Sequence, residues 1–238
     1  MSHRARKRFG QNFLHDPGII ARIVQAIAPS PDQTLVEIGP GQGAITVELL
    51  KLAGRLDAIE LDRDLLEPLA RRCADVGELQ LHNLDALKAD FRQLAGAERK
   101  LRVVGNLPYN ISTPLLFHLL DQAEVIEDMH FMLQKEVVER MAAAPGGKQY
   151  GRLTIMLQLR CRVEHLFDIG PGAFKPAPKV DSAFVRLTPF AHPGLAATDL
   201  ELLNRIVTQA FSQRRKTLRN CLKGLVSSAQ MSALGIAP

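Results

Sequence analysis

The sequence predicts a doubly wound α/β domain that is followed by a small helical segment. Short apolar runs of strand length alternate with amphipathic helical stretches over most of the chain. The first of these runs ends in a glycine-rich turn, Gly39-Pro40-Gly41-Gln42-Gly43, which leads directly into a helix. Strand, glycine turn and helix form the opening unit of such sheets. From about residue 191 the strand pattern stops and helical spacing takes over.

The amino-terminal part is predicted as a strap and a helix. Asp16 before Pro17 suits an N-cap and a first helical turn, and apolar residues at helical spacing extend that helix to about Ala28. Upstream, the segment Phe9–Leu14 is too polar for a core element and too apolar for a solvated tail. We interpret it as a strap that lies on another part of the protein.

Seven segments are predicted as strands of one sheet, because each is a short apolar or alternating run bounded by turn residues. They are Thr34–Ile38, Arg55–Glu60, Glu78–His82, Leu101–Gly105, Met129–Leu133, Cys161–Ile169 and Ser182–Leu187. The helices predicted between them cover about residues 45–52, 65–74, 112–120, 136–144 and 151–159. A loop with three prolines, which contains Phe174 and Lys175, precedes the last strand.

The carboxy-terminal segment is predicted as a small basic helical domain, residues 191–238, after a main domain of residues 1–190. A helix over Leu200–Phe211, a basic turn over Ser212–Thr217 and a short helix over Leu218–Leu225 are expected there. Roughly 45 residues cannot bury a robust core unaided. We therefore expect this segment to dock on the larger domain.

Positive charge is concentrated at the two ends of the chain. The net charge is +5, yet residues 1–15 contain four basic and no acidic residues, and residues 199–238 contain six basic and two acidic residues. The residues between them therefore carry a net charge of −3. Basic patches of this kind provide sequence-independent affinity for nucleic acid. Solvated termini with incidental charge are the alternative.

Composition argues against several classes of protein. No run approaches the ~20 apolar residues that a membrane span needs, and the basic amino terminus lacks the apolar region of a secretory signal. Three widely spaced cysteines without a Cys-x-x-Cys pair indicate reduced thiols in a cytosolic protein. The seven histidines show no metal-ligand spacing, so no metal site is predicted.

The stretch Val103–Tyr109 ends the fourth strand in a combination of polar and aromatic groups. Pro108 fixes its own φ and pushes Leu107 toward an extended conformation. The strand tip then presents the amide of Asn106, the carbonyl of Leu107 and the ring of Tyr109. Two oxygens can accept from an exocyclic amine while a ring stacks on a base, so the stretch indicates chemistry on a nucleobase amino group. A structural strand followed by a proline turn is the alternative.

Three other strand tips suit a nucleoside that carries no phosphates. The turn spacing G-x-G-x-G is not the dinucleotide fingerprint. Glu60 at the second tip can accept both ribose hydroxyls, and Asp85 after the third strand can accept from an adenine amine. Helix capping or surface exposure is the alternative for either acid. Together with the amine-acceptor site, these residues point to S-adenosylmethionine and methyl transfer.

Short segments along almost the whole chain match one known family. They are FGQNFL at Phe9–Leu14, EIGPGQGAIT at Glu37–Thr46, IELD at Ile59–Asp62, NLDAL at Asn83–Leu87, GNLPYNIST at Gly105–Thr113, QKEV at Gln134–Val137 and FKPAPKVDSA at Phe174–Ala183. With these segments the chain resembles the small-subunit ribosomal RNA adenine N6-dimethyltransferases, to which the erythromycin-resistance methylases are related. The resemblance implies a Rossmann-like class I methyltransferase sheet, seven-stranded and mostly parallel, with a small C-terminal α-helical domain for RNA docking.

The resemblance also implies which residues form the site. Cofactor-binding residues are Asn12 and Leu14 beside the methionine part, Gly39 and Gly41 in the turn, Glu60 at the ribose, Asp85 at the adenine amine, and Asn106. Catalytic residues are Asn106 and the Leu107 carbonyl at the target amine, Tyr109 stacked on the target adenine, and Phe174 over its other face. No acid–base residue is required.

The family's reaction is dimethylation of two adjacent adenosines in a hairpin near the 3′ end of small-subunit (16S) ribosomal RNA. The resemblance implies that substrate within an immature small subunit, and a monomeric, cytoplasmic enzyme. Family members usually carry a fuller helical domain than residues 191–238, and we expect shortening to weaken RNA docking more than cofactor binding. Two alternatives stay open: a DNA adenine methylase, and a catalytically idle ribosome-assembly or transcription factor on the same scaffold.

Overall fold

The structure is a computed structural model that describes residues 12–96, 100–191, 200–213 and 215–236. The basic leader, the first half of the strap and Arg214 of the basic turn, all singled out from the sequence, lie outside the described residues. The strands are β1 (Phe13–Leu14), β2 (Thr34–Ile38), β3 (Arg55–Ile59), β4 (Glu78–His82), β5 (Leu101–Asn106), β6 (Ile126–Gln134), β7 (Cys161–Ile169), β8 (Phe174–Lys175) and β9 (Ser182–Pro189). The α-helices are α1 (Pro17–Ile27), α2 (Thr46–Ala53), α3 (Arg63–Cys73), α4 (Phe91–Ala95), α5 (Ser112–Leu120), α6 (Lys135–Met141), α7 (Arg152–Gln158), α8 (Leu200–Ala210), α9 (Leu218–Cys221) and α10 (Ser228–Ala233).

Seven strands form one sheet in the order β4-β3-β2-β5-β6-β9-β7. The first five strands are parallel to one another, and β9 is antiparallel to both β6 and β7. The predicted seven-stranded, mostly parallel sheet is therefore confirmed. The chain runs outward in one direction from β2 to β4 and in the other from β5, so the order reverses between β2 and β5. Ligands of such sheets bind at this switch point, outside the carboxyl ends of the strands.

Helices cover both faces of the sheet because neighbouring strand residues point to opposite sides. In β2, Leu35 joins the hydrophobic cluster that holds α1, α2 and α3, whereas Val36 joins the cluster that holds α4, α5, α6 and α7. The register of the parallel strands sets the position of each strand end relative to its neighbours. This rigid edge is what positions polar side chains for a site.

A buried ion pair ties α1 to the sheet. Arg102 donates to both carboxylate oxygens of Asp128 at 2.9 Å, and the two side chains are 7% and 2% exposed. The same guanidinium donates to the carbonyls of Ile27 at 2.8 Å and Ala28 at 3.3 Å. The last carbonyls of α1 are thereby paired with a cation, which suits the negative end of a helix. The pair therefore anchors the C-terminal end of α1 to β5 and β6.

Several short elements differ from the sequence prediction. The short helix α4 was not predicted because five residues hold little more than one helical period, although Asp90 caps it by accepting from the Arg92 amide. The predicted helix over Leu218–Leu225 stops at Cys221, and α10 follows it with a Ser227 capping box. Helix α3 begins two residues early because Asp62 caps it.

The carboxy-terminal helices contact the main domain through α7. Arg152 donates twice to Asn204 Oδ1, at 2.9 and 2.8 Å, and the rings of Tyr150 and Phe211 lie 6.2 Å apart. The division into domains at residue 190 stays a prediction. All three cysteines are free and buried. Within the described part of the chain, every helix is too short or too polar to cross a membrane.

Candidate active site

A cleft of about 320 Å³ opens at the carboxyl ends of β2, β3 and β5, where the strand order reverses. Its walls come from five separate segments of the chain, namely 12–14, 37–45, 59–61, 84–86 and 106–111. All seven predicted cofactor-binding residues line it, and so do Leu107 and Tyr109. The structure therefore brings together residues that are up to about a hundred positions apart. Phe174 is the one predicted site residue that is not part of the wall.

The glycine turn is shaped by the strap above it and by the helix beside it. Gly41 has a φ of 57°, and a Cβ there would lie 3.1 Å from the ring of Phe13 in the strap. Gly43 has a φ of 79°, and a Cβ there would lie 2.5 Å from Leu69 of α3. Both positions therefore need glycine for backbone conformation and for close approach. The strap closes over the turn and makes one wall of the cleft.

Glu60 is held against the same turn. Its Oε1 accepts from the Asp62 amide at 2.8 Å and its Oε2 accepts from the Gly41 amide at 3.2 Å. Burial raises the pKa of the Glu60 carboxyl, while these backbone hydrogen bonds act in the opposite direction. Asn83 supports the arrangement by donating to the Glu60 carbonyl at 2.8 Å. The carboxylate is thus fixed at the edge of the cleft, where ribose hydroxyls could reach it.

Asp85 caps a short 3-10 helix, Ala86–Lys88, through Oδ1, which accepts from the Leu87 amide at 3.0 Å. The capping alternative that the sequence left open is therefore observed. Capping is compatible with the predicted binding of the cofactor's adenine amine, because the cap uses only Oδ1 of the carboxylate and Asp85 also lines the cleft. The cap orients the side chain that a ligand would meet.

Asn106 is oriented by the strap. Its Nδ2 donates to the main-chain carbonyl of Asn12 at 2.9 Å, which turns the amide nitrogen toward the strap. Next to it, a Cβ on Gly105 would lie 2.4 Å from the Ile38 carbonyl, so glycine is required by the close packing of β5 on β2. Leu107 as a whole residue is 1% exposed and lines the cleft, and no hydrogen bond found among the described residues uses its carbonyl oxygen. The Asn106 Oδ1 and the Leu107 carbonyl oxygen are therefore the two candidate acceptors for an amine.

Tyr109 is held at both ends. Its hydroxyl lies 2.8 Å from Ser182 Oγ, and its carbonyl accepts from Ser112 Oγ at 3.1 Å. Burial raises the pKa of the phenol, so the side chain is neutral at physiological pH. Phe174 instead packs beside Leu14 in the hydrophobic cluster and is 3% exposed. Its role on the second face of a base stays a prediction.

Comparison with known proteins identifies the family. A family model described as ribosomal RNA adenine dimethylase matches residues 2–238. The chain belongs to this family of ribosomal RNA adenine dimethylases.

Two relatives can be aligned with almost the whole chain of this dimethylase. The ribosomal RNA small subunit methyltransferase A of Nitrosococcus oceani is 63% identical over 100% of this chain and 90% of its own length. That of Pseudomonas aeruginosa is 63% identical over 99% of this chain and 88% of its own length. Both relatives are named as methyltransferases of small-subunit ribosomal RNA, and both match almost the whole of this chain.

Two solved structures share the fold of the dimethylase. A dimethyladenosine transferase from Plasmodium falciparum superposes with a TM-score of 0.78 at 32% identity, over 94% of this chain and 78% of its own. The 23S rRNA methyltransferase ErmE superposes with a TM-score of 0.76 at 28% identity, over 95% and 91%. The predicted class I methyltransferase fold is confirmed. The fold and the family together imply the use of S-adenosylmethionine.

Glu37 lines the cleft of the dimethylase, although the sequence did not predict it as a site residue. It is 2% exposed, and its Oε2 has no hydrogen-bond partner among the described residues. Burial, reinforced by the charge of Glu60, raises the pKa of Glu37 to about 7. The signal was present in the sequence, since Glu37 is the one charged residue in the otherwise apolar strand Thr34–Ile38.

The cleft residues of the dimethylase fit S-adenosylmethionine by their chemistry. Carboxylates at Glu60 and Asp85 suit hydroxyl and amine donors, and the unpaired carboxylate oxygen of Glu37 suits a cation. The cleft volume lies at the lower end of the range for small-molecule sites. Among residues 12–96, 100–191, 200–213 and 215–236, no group of acidic, histidine or cysteine side chains has the arrangement of a metal site.

Proposed function

We propose that this dimethylase transfers methyl groups from S-adenosylmethionine to the N6 amines of two adjacent adenosines, in a hairpin near the 3′ end of small-subunit (16S) ribosomal RNA. The observation that carries the proposal is that one cleft joins the predicted cofactor residues to the two oxygens at the β5 tip. The choice of the small subunit is supported by relatives at 63% identity that are named for it. The 23S enzyme of the same fold is 28% identical.

The cofactor would lie between the strap and the strand tips. Glu60 would accept the ribose hydroxyls, Asp85 would accept the adenine amine, and the glycine turn would run beside the nucleoside. Asn12 and Leu14 would line the methionine part. When bound, S-adenosylmethionine supplies an electrophilic methyl group on a sulfonium ion. The strap would shield that group from water.

The target amine needs activation because its lone pair is delocalised into the adenine ring. Asn106 Oδ1 and the Leu107 carbonyl would each accept one amine hydrogen. These two hydrogen bonds draw the nitrogen toward tetrahedral geometry and free the lone pair for attack. Holding the amine in line with the methyl group can contribute about 7–11 kcal/mol. The transfer would form the N–methyl bond, break the sulfonium–methyl bond and leave S-adenosylhomocysteine, with the positive charge now on the amine nitrogen. This cationic aryl amine is acidic enough to give up one proton to water, so the site needs no general base.

The same two acceptors account for the number of methyl groups. After one transfer a single N–H remains, and either oxygen can hold it for a second round. After the second transfer no N–H remains, so the acceptors lose their partner. The dimethylated base is then the form that the site holds least well, which favours its release.

The adenosines must be unpaired to enter the cleft, because the amine of a paired base is engaged within the duplex. A hairpin loop meets that requirement. Tyr109 would stack on one face of the base, and the basic ends of the chain would bind the surrounding phosphates. We include in the proposal that the enzyme acts as a monomer in the cytoplasm, on an immature small subunit, with residues 191–238 docking on RNA.

Transfer of isotope from methyl-labelled S-adenosylmethionine tests the proposal. Immature small-subunit particles and duplex DNA are offered separately, and labelled adenosines are mapped by mass spectrometry. We expect two methyl groups on each of two adjacent adenosines of the small-subunit RNA and none on DNA. Label in DNA would favour a DNA adenine methylase. Label in neither substrate would favour a catalytically idle assembly factor.

A further inference from the structure

The Tyr109 ring is attached to the sheet by Ser182. This residue lies within the family segment Phe174–Ala183, but neither the resemblance nor the proposed mechanism gives it a role. Tyr109 lies in the turn after β5, where the main chain alone would leave its ring free to rotate. The hydroxyl at the far end of the ring meets Ser182 Oγ at 2.8 Å. A single contact at that end fixes the direction in which the ring points.

Ser182 is a rigid attachment point. It is 0% exposed and begins β9, where it pairs with Gln134 of β6 on one side and Ile169 of β7 on the other. Its main chain is therefore held by two neighbouring strands. A hydroxyl on so short a side chain has little freedom, and it can donate to or accept from the phenol. Alanine at this position would leave the phenol without that partner.

We propose that Ser182 is a positioning residue for methyl transfer, which holds the Tyr109 phenol so that the ring is already placed to stack on the target adenine. The Ser112 bond to the Tyr109 carbonyl fixes the other end of the residue. A ring fixed before binding costs less ordering when the base arrives, and a small misplacement of the amine slows transfer strongly. This inference rests on the proposed function.

The contact itself can be tested without any enzymatic assay. The chain contains two tyrosines and no tryptophan, so Tyr150→Phe leaves Tyr109 as the single tyrosine and keeps the ring that packs on Phe211. In that background the near-ultraviolet absorbance of tyrosinate is followed against pH, within the range where circular dichroism stays native. Ser182 lowers the pKa of Tyr109 while burial raises it. We expect Ser182→Ala to move the titration to higher pH.

Tyrosine fluorescence anisotropy at neutral pH, in the same Tyr150→Phe background, is a second measurement of the contact between Tyr109 and Ser182. A ring released by Ser182→Ala rotates more freely, so the anisotropy should fall. An unchanged titration together with an unchanged anisotropy would overturn the proposal.

A double-mutant cycle tests the role in catalysis. We expect Ser182→Ala to lower kcat by about three- to tenfold, which corresponds to the net contribution of a neutral hydrogen bond, with KM for the RNA particle unchanged. In a Tyr109→Phe background, Ser182→Ala should change kcat by less than about twofold, because the partner is already absent. Ser30→Ala, a hydroxyl deletion in the loop before β2, is the matched control and should leave kcat unchanged.

The outcomes distinguish failure of the positioning role of Ser182 from failure of the proposed methyl-transfer function. An equal loss of kcat in both backgrounds would mean that Ser182 only stabilises the sheet, and would overturn its positioning role. Absence of methyl transfer by the unsubstituted enzyme would instead overturn the proposed function, whatever the absorbance shows.

Discussion

The side chain of Asn106 donates to the main-chain carbonyl of Asn12 at 2.9 Å, across 94 residues of sequence. This hydrogen bond decides which end of the amide faces the substrate. With the nitrogen engaged by the strap, Oδ1 is the atom left to accept from an amine. The strap therefore does two things: it covers the cofactor region and it sets the orientation of the residue that would activate the target amine.

Asn106→Ala should remove one of the two acceptors while leaving the RNA-binding surface in place. We expect kcat to fall on the order of 100-fold, as when one preorganised hydrogen bond at a reacting atom is lost, with RNA affinity unchanged. Single-turnover methyl transfer and a filter-binding assay measure the two quantities. If RNA affinity collapses while bound RNA is still methylated at the normal rate, Asn106 is a docking residue.

Glu60→Gln should weaken cofactor binding, because a charged acceptor of ribose hydroxyls and backbone amides becomes a neutral one. Hydrogen bonds to charged groups contribute ~1.5–3 kcal/mol, so we expect the Kd for S-adenosylmethionine to rise about 10- to 100-fold in isothermal titration calorimetry. Glu78→Gln is the matched control, since that carboxylate is exposed on β4 and lies 3.8 Å from Arg55. Equal affinity in both variants would show that Glu60 does not bind the ribose.

The sheet and the predicted strand-tip residues could be read from the sequence because their signals are local. A strand shows its apolar or alternating run, and Glu60, Asp85 and Asn106 each lie within three residues of the end of such a run. Parallel strands then bring their carboxyl ends to one edge, so the convergence of these side chains follows from topology alone.

The contacts that orient those side chains could not be read in the same way. The Asn12 carbonyl and the Ser182 hydroxyl act on residues about 70 to 95 positions distant, and no local pattern marks them. The inward packing of Phe174 depends on the pairing of β8 with β1, two strands of two residues each. Segments this short carry no periodicity from which a strand could be predicted.

Removing Asp128 should destabilise the fold far more than removing an exposed acid. Asp128→Ala would leave the guanidinium of Arg102, whose side chain is 7% exposed, without its counter-charge, and breaking a buried pair in this way costs about 3–5 kcal/mol. Glu67→Ala is the control, because its pair with Arg71 is largely exposed and such pairs contribute about 0–1 kcal/mol. Urea unfolding followed by circular dichroism measures both. Similar losses in the two variants would contradict the anchoring role of Arg102.

Glu37 should make the ligand-free protein less stable as pH rises. Its pKa is about 7 in the folded protein against 4.5 for an unperturbed glutamate side chain, so between these pH values the folded state binds more protons than the unfolded state. The free energy of unfolding must then fall across this window, by about 3 kcal/mol for a shift of this size. Glu37→Gln should remove that decline and stabilise the protein at pH 8. Urea midpoints at pH 5 and pH 8, compared between the two proteins, measure the effect.

The Glu37 carboxyl should lose its proton when S-adenosylmethionine binds. S-adenosylmethionine is cationic at its sulfonium and ammonium groups, and a cation beside Glu37 favours the charged carboxylate. Binding near pH 6.5 should therefore release a proton from the unsubstituted enzyme and none from Glu37→Gln. Calorimetric titrations in buffers of different ionisation enthalpy detect that proton. Equal proton release by both proteins would show that the Glu37 carboxyl does not face the cofactor's positive charge.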